Sequence, residues 1–337
     1  MKYIHTYKLE EGKSFNDLEL LTQLLSVVKL RVSSPSEKIM LYVDTYTLNE
    51  YKKFGMDTLY DEVNTEVLDE YPSDKISKDY WSSPKLWVMK HQEEPFLMLD
   101  TDLVLHNITP DVLERAQVSF LHTESPTTYA FPSVLNKPKA FKWSDWDVMA
   151  FINTMPANCA AICFTDMEFL KRYTDKYFRF VLNNKGGYSE KFFEKSDFTD
   201  STAPQITMEQ WLLSAMMFQE EYDNTGKLIS RETPFQSQSL TNALSTPLGF
   251  QHQVWNVPPA QVMQELGTQI FHLWGAKTFY DKAEKENKPE LYEVWNKIKE
   301  DLVGANNDFI QLLKKDEYYD ILEKLEDNCR EIPKSTN

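Results

Sequence analysis

FLMLDTDLVL, residues 96–105, is the stretch on which the reading of the whole chain turns. Four apolar residues run without interruption into Asp100-Thr101-Asp102, and Leu103, Val104 and Leu105 follow. A short unbroken apolar run marks a strand buried on both faces, as in a parallel sheet. Ligands of such sheets bind just beyond the carboxyl ends of the strands. Two aspartates at i and i+2 share a face of an extended chain, so both carboxylates can address one ion. Hard oxygen donors favour Mg²⁺ or Mn²⁺, which bridge readily to phosphate oxygens. A second such pair, Asp145-Trp146-Asp147, has no strand ahead of it and reads as solvated surface or helix-capping residues.

Outward from this stretch, short apolar runs alternate with amphipathic ones, the pattern of an α/β fold. KYIHTY at 2–7 and the nearly all-apolar KIMLYV at 38–43 read as strands, the second ending at Asp44. Between them, Leu18, Leu21, Leu25 and Val28 put one apolar face on a helix over 16–30. Ser83-Pro84 opens a further helix, with the serine as cap and proline at the first position. QVSFLH at 117–122, CAAICF at 159–164 and TQIFHL at 268–273 are later strands, and MEQWLLSAMMF at 208–218 is a helix. Two long stretches, 183–206 and 223–247, have little apolar period and read as loops, the candidates for a lid and an acceptor surface. From about residue 281 the composition turns to Lys/Glu-rich helix. The expected organisation is therefore a domain over 1–280 and a C-terminal helical extension over 281–337.

Composition narrows the function classes. With 36 Lys+Arg against 52 Asp+Glu, the chain carries a formal charge of −16, which argues against nucleic acid or an anionic membrane as partner. Hydrophobic residues make up 42%, enough for a substantial core. No apolar run approaches the ~18 residues of a membrane helix. The start MKYIHTYKLEEGKSFNDLELL lacks a signal-peptide core, and Cys159, Cys163 and Cys329 do not form a zinc or disulfide pattern. A reduced, cytoplasmic protein is the expectation. Only 9 glycines are present, with neither a dinucleotide fingerprint nor a P-loop, so phosphate must be held by side chains or a metal.

Four segments together resemble the GT-A glycosyltransferases, most of all the glycogenin-like retaining family. They are KLWVMKHQEEPFLMLDTDLVL at 85–105, Asn158-Cys159-Ala160-Ala161-Ile162-Cys163-Phe164, Glu209-Gln210 at a helix start, and His272-Leu273-Trp274-Gly275-Ala276-Lys277. The resemblance covers roughly residues 1–280. Ala160 stands where that family usually has glycine, the His-to-Lys segment is one residue shorter, and Thr278-Phe279 replaces the usual Pro-Trp. The resemblance implies a GT-A fold: a mixed, mostly parallel sheet flanked by helices. It also implies transfer of a sugar from a nucleotide-diphosphate sugar, a UDP-sugar, to a glycan, lipid, protein or small-molecule acceptor. Asp100, Asp102 and His272 would hold Mn²⁺ or Mg²⁺. Thr101, Lys85, Asn158 and Lys277 would face the donor, and Glu209 and Gln210 the sugar or acceptor. Asp44 would touch the base or ribose, though strand-end capping explains it equally.

Two other readings stay in view. FLMLDTDLV also fits the nucleophile motif of haloacid-dehalogenase-like phosphatases, with Asp100 attacking phosphate. That family needs a later acidic pair, and the sequence has no Gly-Asp and no Asp-Asp dipeptide. A GT-A-like scaffold that binds without turnover is the other, motivated by Ala160 and the shortened segment.

Overall fold

The computed structural model describes residues 1–15, 17–78, 80–105, 108–124, 154–183, 207–222, 235–240, 248–249, 270–272 and 289–330. In chain order its elements are β1 (Lys2–Thr6), α1 (Asp17–Ser33), β2 (Lys38–Tyr42), α2 (Thr45–Phe54), β3 (Glu62–Asn64), α3 (Glu66–Asp69), α4 (Ser83–Lys90) and β4 (Phe96–Leu99). They continue with β5 (Leu103–Val104), α5 (Pro110–Leu113), β6 (Val118–Phe120), β7 (Ala161–Phe164), α6 (Met167–Asn183) and α7 (Leu212–Glu221). The remainder are β8 (Ser237–Ser239), β9 (Leu248–Gly249), β10 (Ile270–His272), α8 (Pro289–Leu313) and α9 (Asp316–Arg330).

Seven strands form one sheet in the order β3-β2-β1-β4-β7-β6-β8, with β4 at its centre. β1, β2 and β3 are parallel, Tyr3 opposite Ile39 and Leu41 opposite Val63. β6 runs parallel to β8 and antiparallel to β7. The fold is thus mixed α/β, as the alternation of apolar runs led us to expect, with the mostly parallel sheet and flanking helices that the resemblance implies. Three short strands form a second sheet, β5-β10-β9. The chain divides into two compact units. Met1–Glu66, Met98–Val112 and Thr241–Asn337 make up the first, and Val67–Leu97 and Leu113–Leu240 the second.

In the first unit α1 is buried from Leu18 to Leu30, its polar residues included. Those polar groups are bonded inside rather than solvated, as burial demands. The Tyr7 hydroxyl donates to Glu19 (2.8 Å) and that of Tyr51 to Gln23 (2.7 Å), while Ser26 meets His5 Nε2 (3.3 Å). The C-terminal helix α8 packs on α1, and Asn306 bonds the Leu21 and Leu302 carbonyls at 3.1 and 2.9 Å. Asp44 caps α2 by accepting from the Thr47 amide (2.8 Å), and Gly55 ends that helix with φ 76°, a backbone state that favours glycine.

In the second unit α4 packs on α6. Trp87 donates to the Val67 carbonyl (2.9 Å) and meets Phe178 edge-on at 5.2 Å. The cap of α4 is Ser82, not Ser83. Ser83 lies inside the first turn, and its hydroxyl is engaged by Tyr177 (2.7 Å), a tertiary bond that local spacing does not reveal. Residues 237–239, inside a stretch expected to be loop, form β8 at the sheet edge. Ser-Gln-Ser carries no apolar alternation, and the strand is held by pairing with β6 and by Gln236 bonding the Gln117 side chain (2.7 Å). Residues 223–234 and 241–247, and 184–206 of the other expected loop, lie outside the described residues.

Candidate functional site

In the first unit, Asp100-Thr101-Asp102 is not extended chain. The Leu103 amide bonds back to the Asp100 carbonyl (3.1 Å), closing a four-residue turn between β4 and β5. Aspartate is favoured at the first position of such turns. The turn is largely withdrawn from water: Thr101 and Asp102 are buried and Asp100 is half-buried. β5 then pairs antiparallel with β10, and His272 falls opposite Leu103, the residue after Asp102. Backbone register therefore brings the three residues assigned to the cation to one end of this small sheet. The side chain of His272 lies outside the described residues. Among the described residues no three His, Cys, Asp or Glu side chains form a complete metal cluster. The donor set itself, two carboxylates and an imidazole, fits Mn²⁺ or Mg²⁺.

Asp44, also in the first unit, caps α2 and is paired with Lys8. Lys277 and the Asp145-Trp146-Asp147 segment lie outside the described residues.

The second unit gathers Lys85, Asn158, Glu209 and Gln210 from four separate parts of the chain. The Lys85 ammonium lies 2.6 Å from Glu209 Oε1 and donates to the Cys159 carbonyl (3.2 Å). The 2.6 Å contact is a charge pairing rather than an aligned hydrogen bond, since Glu209 Oε1 has no bond of acceptable angle. Glu209 is only 2% exposed. An ion removed from water costs several kcal/mol, and a buried pair often contributes no net stability.

Glu209 and Gln210 sit in a single π-helical turn, Thr207–Trp211, ahead of α7. Turns of this kind interrupt the regular helical ladder and are frequent at functional sites. Here outside groups bond the backbone: the Tyr173 hydroxyl donates to the Glu209 carbonyl (2.7 Å), and the Ala157 amide to that of Gln210 (3.3 Å). Burial, then Cys159 and Glu209, push the Tyr173 hydroxyl well above its ordinary pKa, so it remains a donor. Gln210 is 8% exposed and its Oε1 has no hydrogen-bond partner.

Asn158 accepts from the Ala160 amide (2.9 Å) and donates to Glu124 Oε1 (2.5 Å). Glu124 and His122, both buried, are members of this cluster that motif reading missed. A signal was present: His122-Thr123-Glu124 ends an apolar run just as Asp100 does. Cys159 and Cys163 are buried, and burial pushes the Cys163 thiol up, which disfavours its thiolate.

The fold and its sites define a mixed α/β protein with a buried carboxylate turn at the end of the central strand and a buried polar cluster in its second unit. Residues 16–253, more than half of the chain, match one family profile, and the chain belongs to that family, described as a family of unknown function, DUF6734. Among curated proteins, none matches the sequence significantly. Similar solved structures include an active-site mutant of LgtC, 10% identical, covering 62% of this chain and 70% of that one at TM-score 0.33. The bifunctional glycosyltransferase WbbM is 12% identical over 88% of this chain and 51% of its own, at TM-score 0.39. Mouse xyloside xylosyltransferase 1 is 13% identical over 63% and 82%, at TM-score 0.36. Likenesses of this extent establish neither activity nor substrate. No described helix is long and apolar enough to cross a membrane.

Proposed function

We propose that the chain is a metal-dependent glycosyltransferase of the GT-A type, using a nucleotide-diphosphate sugar. The observation that carries this reading is the buried Asp100-Thr101-Asp102 turn at the carboxyl end of the central strand, with His272 in register beside it. Asp100, Asp102 and His272 hold Mn²⁺ or Mg²⁺, which when bound offsets the charge developing on the departing diphosphate. Thr101 and Lys277 complete the contacts to the diphosphate. Asp44, beyond its capping role, faces the base or ribose.

By the resemblance to the GT-A family, Glu209 and Gln210 lie on the sugar or acceptor side. Glu209 and Gln210 accept hydrogen bonds, Lys85 pairs with Glu209, and Asn158 is aligned by Glu124. Uridine as the base, and retention of configuration, follow from the resemblance to glycogenin-like enzymes.

The test is release of UDP from a panel of UDP-sugars in Mn²⁺, with Asp102→Asn as control. Release by the wild type alone supports the reading. A second reading, a relative that binds without turnover, is favoured by Ala160, whose methyl group sits buried where the family usually has glycine. Binding of UDP with Mn²⁺ but no release from any UDP-sugar would select it.

A further inference from the structure

Both carboxylate oxygens of Asp44 are engaged within the first unit. Oδ1 accepts from the Thr47 amide (2.8 Å), and Oδ2 is paired with the Lys8 ammonium. Lys8 begins the segment that leaves β1, and that segment is bonded to the first turn of α2. The Leu9 amide donates to the Thr47 hydroxyl (2.9 Å) and the Gly12 amide to the Tyr46 hydroxyl (2.9 Å), which itself donates to the Lys13 carbonyl (2.9 Å). Residues 8–13 therefore lie against Asp44, Tyr46 and Thr47, and Asp44 is only 7% exposed. The Lys13 amide bonds the Glu10 carbonyl (2.9 Å) and Gly12 has φ 82°, so residues 10–13 form a tight turn with glycine at its left-handed third position. Glu10, Glu11, Gly12 and Lys13 are exposed. The apolar anchors stand outside this turn: Leu9 is buried, and Phe15 meets Tyr7 and Tyr51 at ring-centre distances of 5.1 and 4.4 Å. A segment with few apolar contacts, held by bonds near the surface, opens more readily than the core.

We propose that residues 8–13 are a latch that closes Asp44 in the ligand-free protein, and that N–H or O–H groups of the donor nucleoside open it by replacing Lys8 on Oδ2. This rests on the glycosyltransferase reading, in which Asp44 faces the base or ribose, and adds a control on access to that contact. Capping of α2 needs only Oδ1, so the helix keeps its cap while Oδ2 changes partner. The pair that must break is a weak one. The Lys8 side chain is 22% exposed, and an ion pair within reach of water is held loosely, because water solvates the released ammonium. Opening frees an acceptor that an ionised carboxylate offers to donors alone, which matches the N–H and O–H groups of a nucleoside.

The experiment is calorimetric titration of the full chain with UDP in Mn²⁺, comparing wild type, Lys8→Met and Lys8→Arg. Salt at about 0.15 M screens the long-range pull of Lys8 on the diphosphate. The account expects Lys8→Met to bind about two- to fivefold more tightly than wild type, the factor set by one partly exposed ion pair. Lys8→Arg, which re-forms the pair, should match the wild type. In hydrogen-exchange NMR of the ligand-free chain, the Leu9 and Gly12 amides should exchange faster in Lys8→Met by a similar factor, with the β1 amides unchanged. Equal or weaker UDP binding by Lys8→Met overturns the latch and leaves the donor reading standing, as does unchanged exchange at Leu9 and Gly12. If neither wild type nor Lys8→Met binds UDP with Mn²⁺, both fall.

Discussion

Lys85 Nζ and Glu209 Oε1 stand 2.6 Å apart with both side chains almost wholly out of water, joining the first turn of α4 to the π-helical turn before α7. Breaking one side of such a pair leaves a buried charge uncompensated, at a cost of about 3–5 kcal/mol. Lys85→Met should therefore lower the unfolding free energy by about that amount in urea titrations. Lys85→Met combined with Glu209→Leu should recover at least half of the loss. Additive destabilisation in the double variant would contradict the pairing.

Tyr173 fixes the backbone on which Glu209 is mounted. Tyr173→Phe removes a buried hydrogen bond, so about 0.5–1.5 kcal/mol of stability should disappear in the same titration. A loss near zero would mean that the π-helical turn does not depend on this bond.

The pH dependence of stability has an identifiable source in His5. The ring is buried between Tyr60 (Nδ1 to hydroxyl, 3.0 Å) and Ser26, and burial lowers its pKa from 6.5 to about 3. Above pH 6.5 the imidazole is neutral in both folded and unfolded chains, and its contribution does not change. As pH falls below 6.5 the unfolded chain takes up a proton that the folded chain refuses, and stability declines until pH reaches about 3. The slope approaches about 1.4 kcal/mol per pH unit, for a loss of about 2.3 kcal/mol between pH 6.5 and 4.5. Chemical unfolding of wild type and His5→Gln over this range should show a shallower acid slope in the variant. Parallel slopes would remove His5 as the cause.

Much of the architecture was readable because apolar patterning and the fold agree. The runs at 38–43, 96–99 and 159–164 became β2, β4 and β7, and the face of Leu18, Leu21, Leu25 and Val28 became α1. What escaped was set by tertiary bonds instead. β8 is built from Ser-Gln-Ser and exists through pairing with β6, which leaves no hydrophobic period to read. Ser82 rather than Ser83 stands at the cap position of α4, and Tyr177 engages the Ser83 hydroxyl.

The candidate groups were partly legible for the same reason. Asp100 and Asp102 announce themselves by the strand ahead of them, although the chain there turns rather than runs straight. Lys85, Asn158 and Glu209 carry no local mark of their convergence, and although Glu124 follows an apolar run as Asp100 does, its 2.5 Å bond to Asn158 is what ties it to the cluster.

Asp102 bears the central claim, that the turn after β4 holds a cation and through it a nucleotide diphosphate. Thermal unfolding with UDP, with Mn²⁺, with both and with neither is the most direct measurement. At ligand about 100-fold above its dissociation constant, linkage gives about 2.7 kcal/mol of stabilisation, a melting-point rise of roughly 4–5 °C for a chain of this size. The account predicts that rise only with UDP and Mn²⁺ together, and its loss in Asp102→Asn at an unchanged ligand-free melting temperature. No rise with both ligands, or an equal rise in Asp102→Asn, would contradict it.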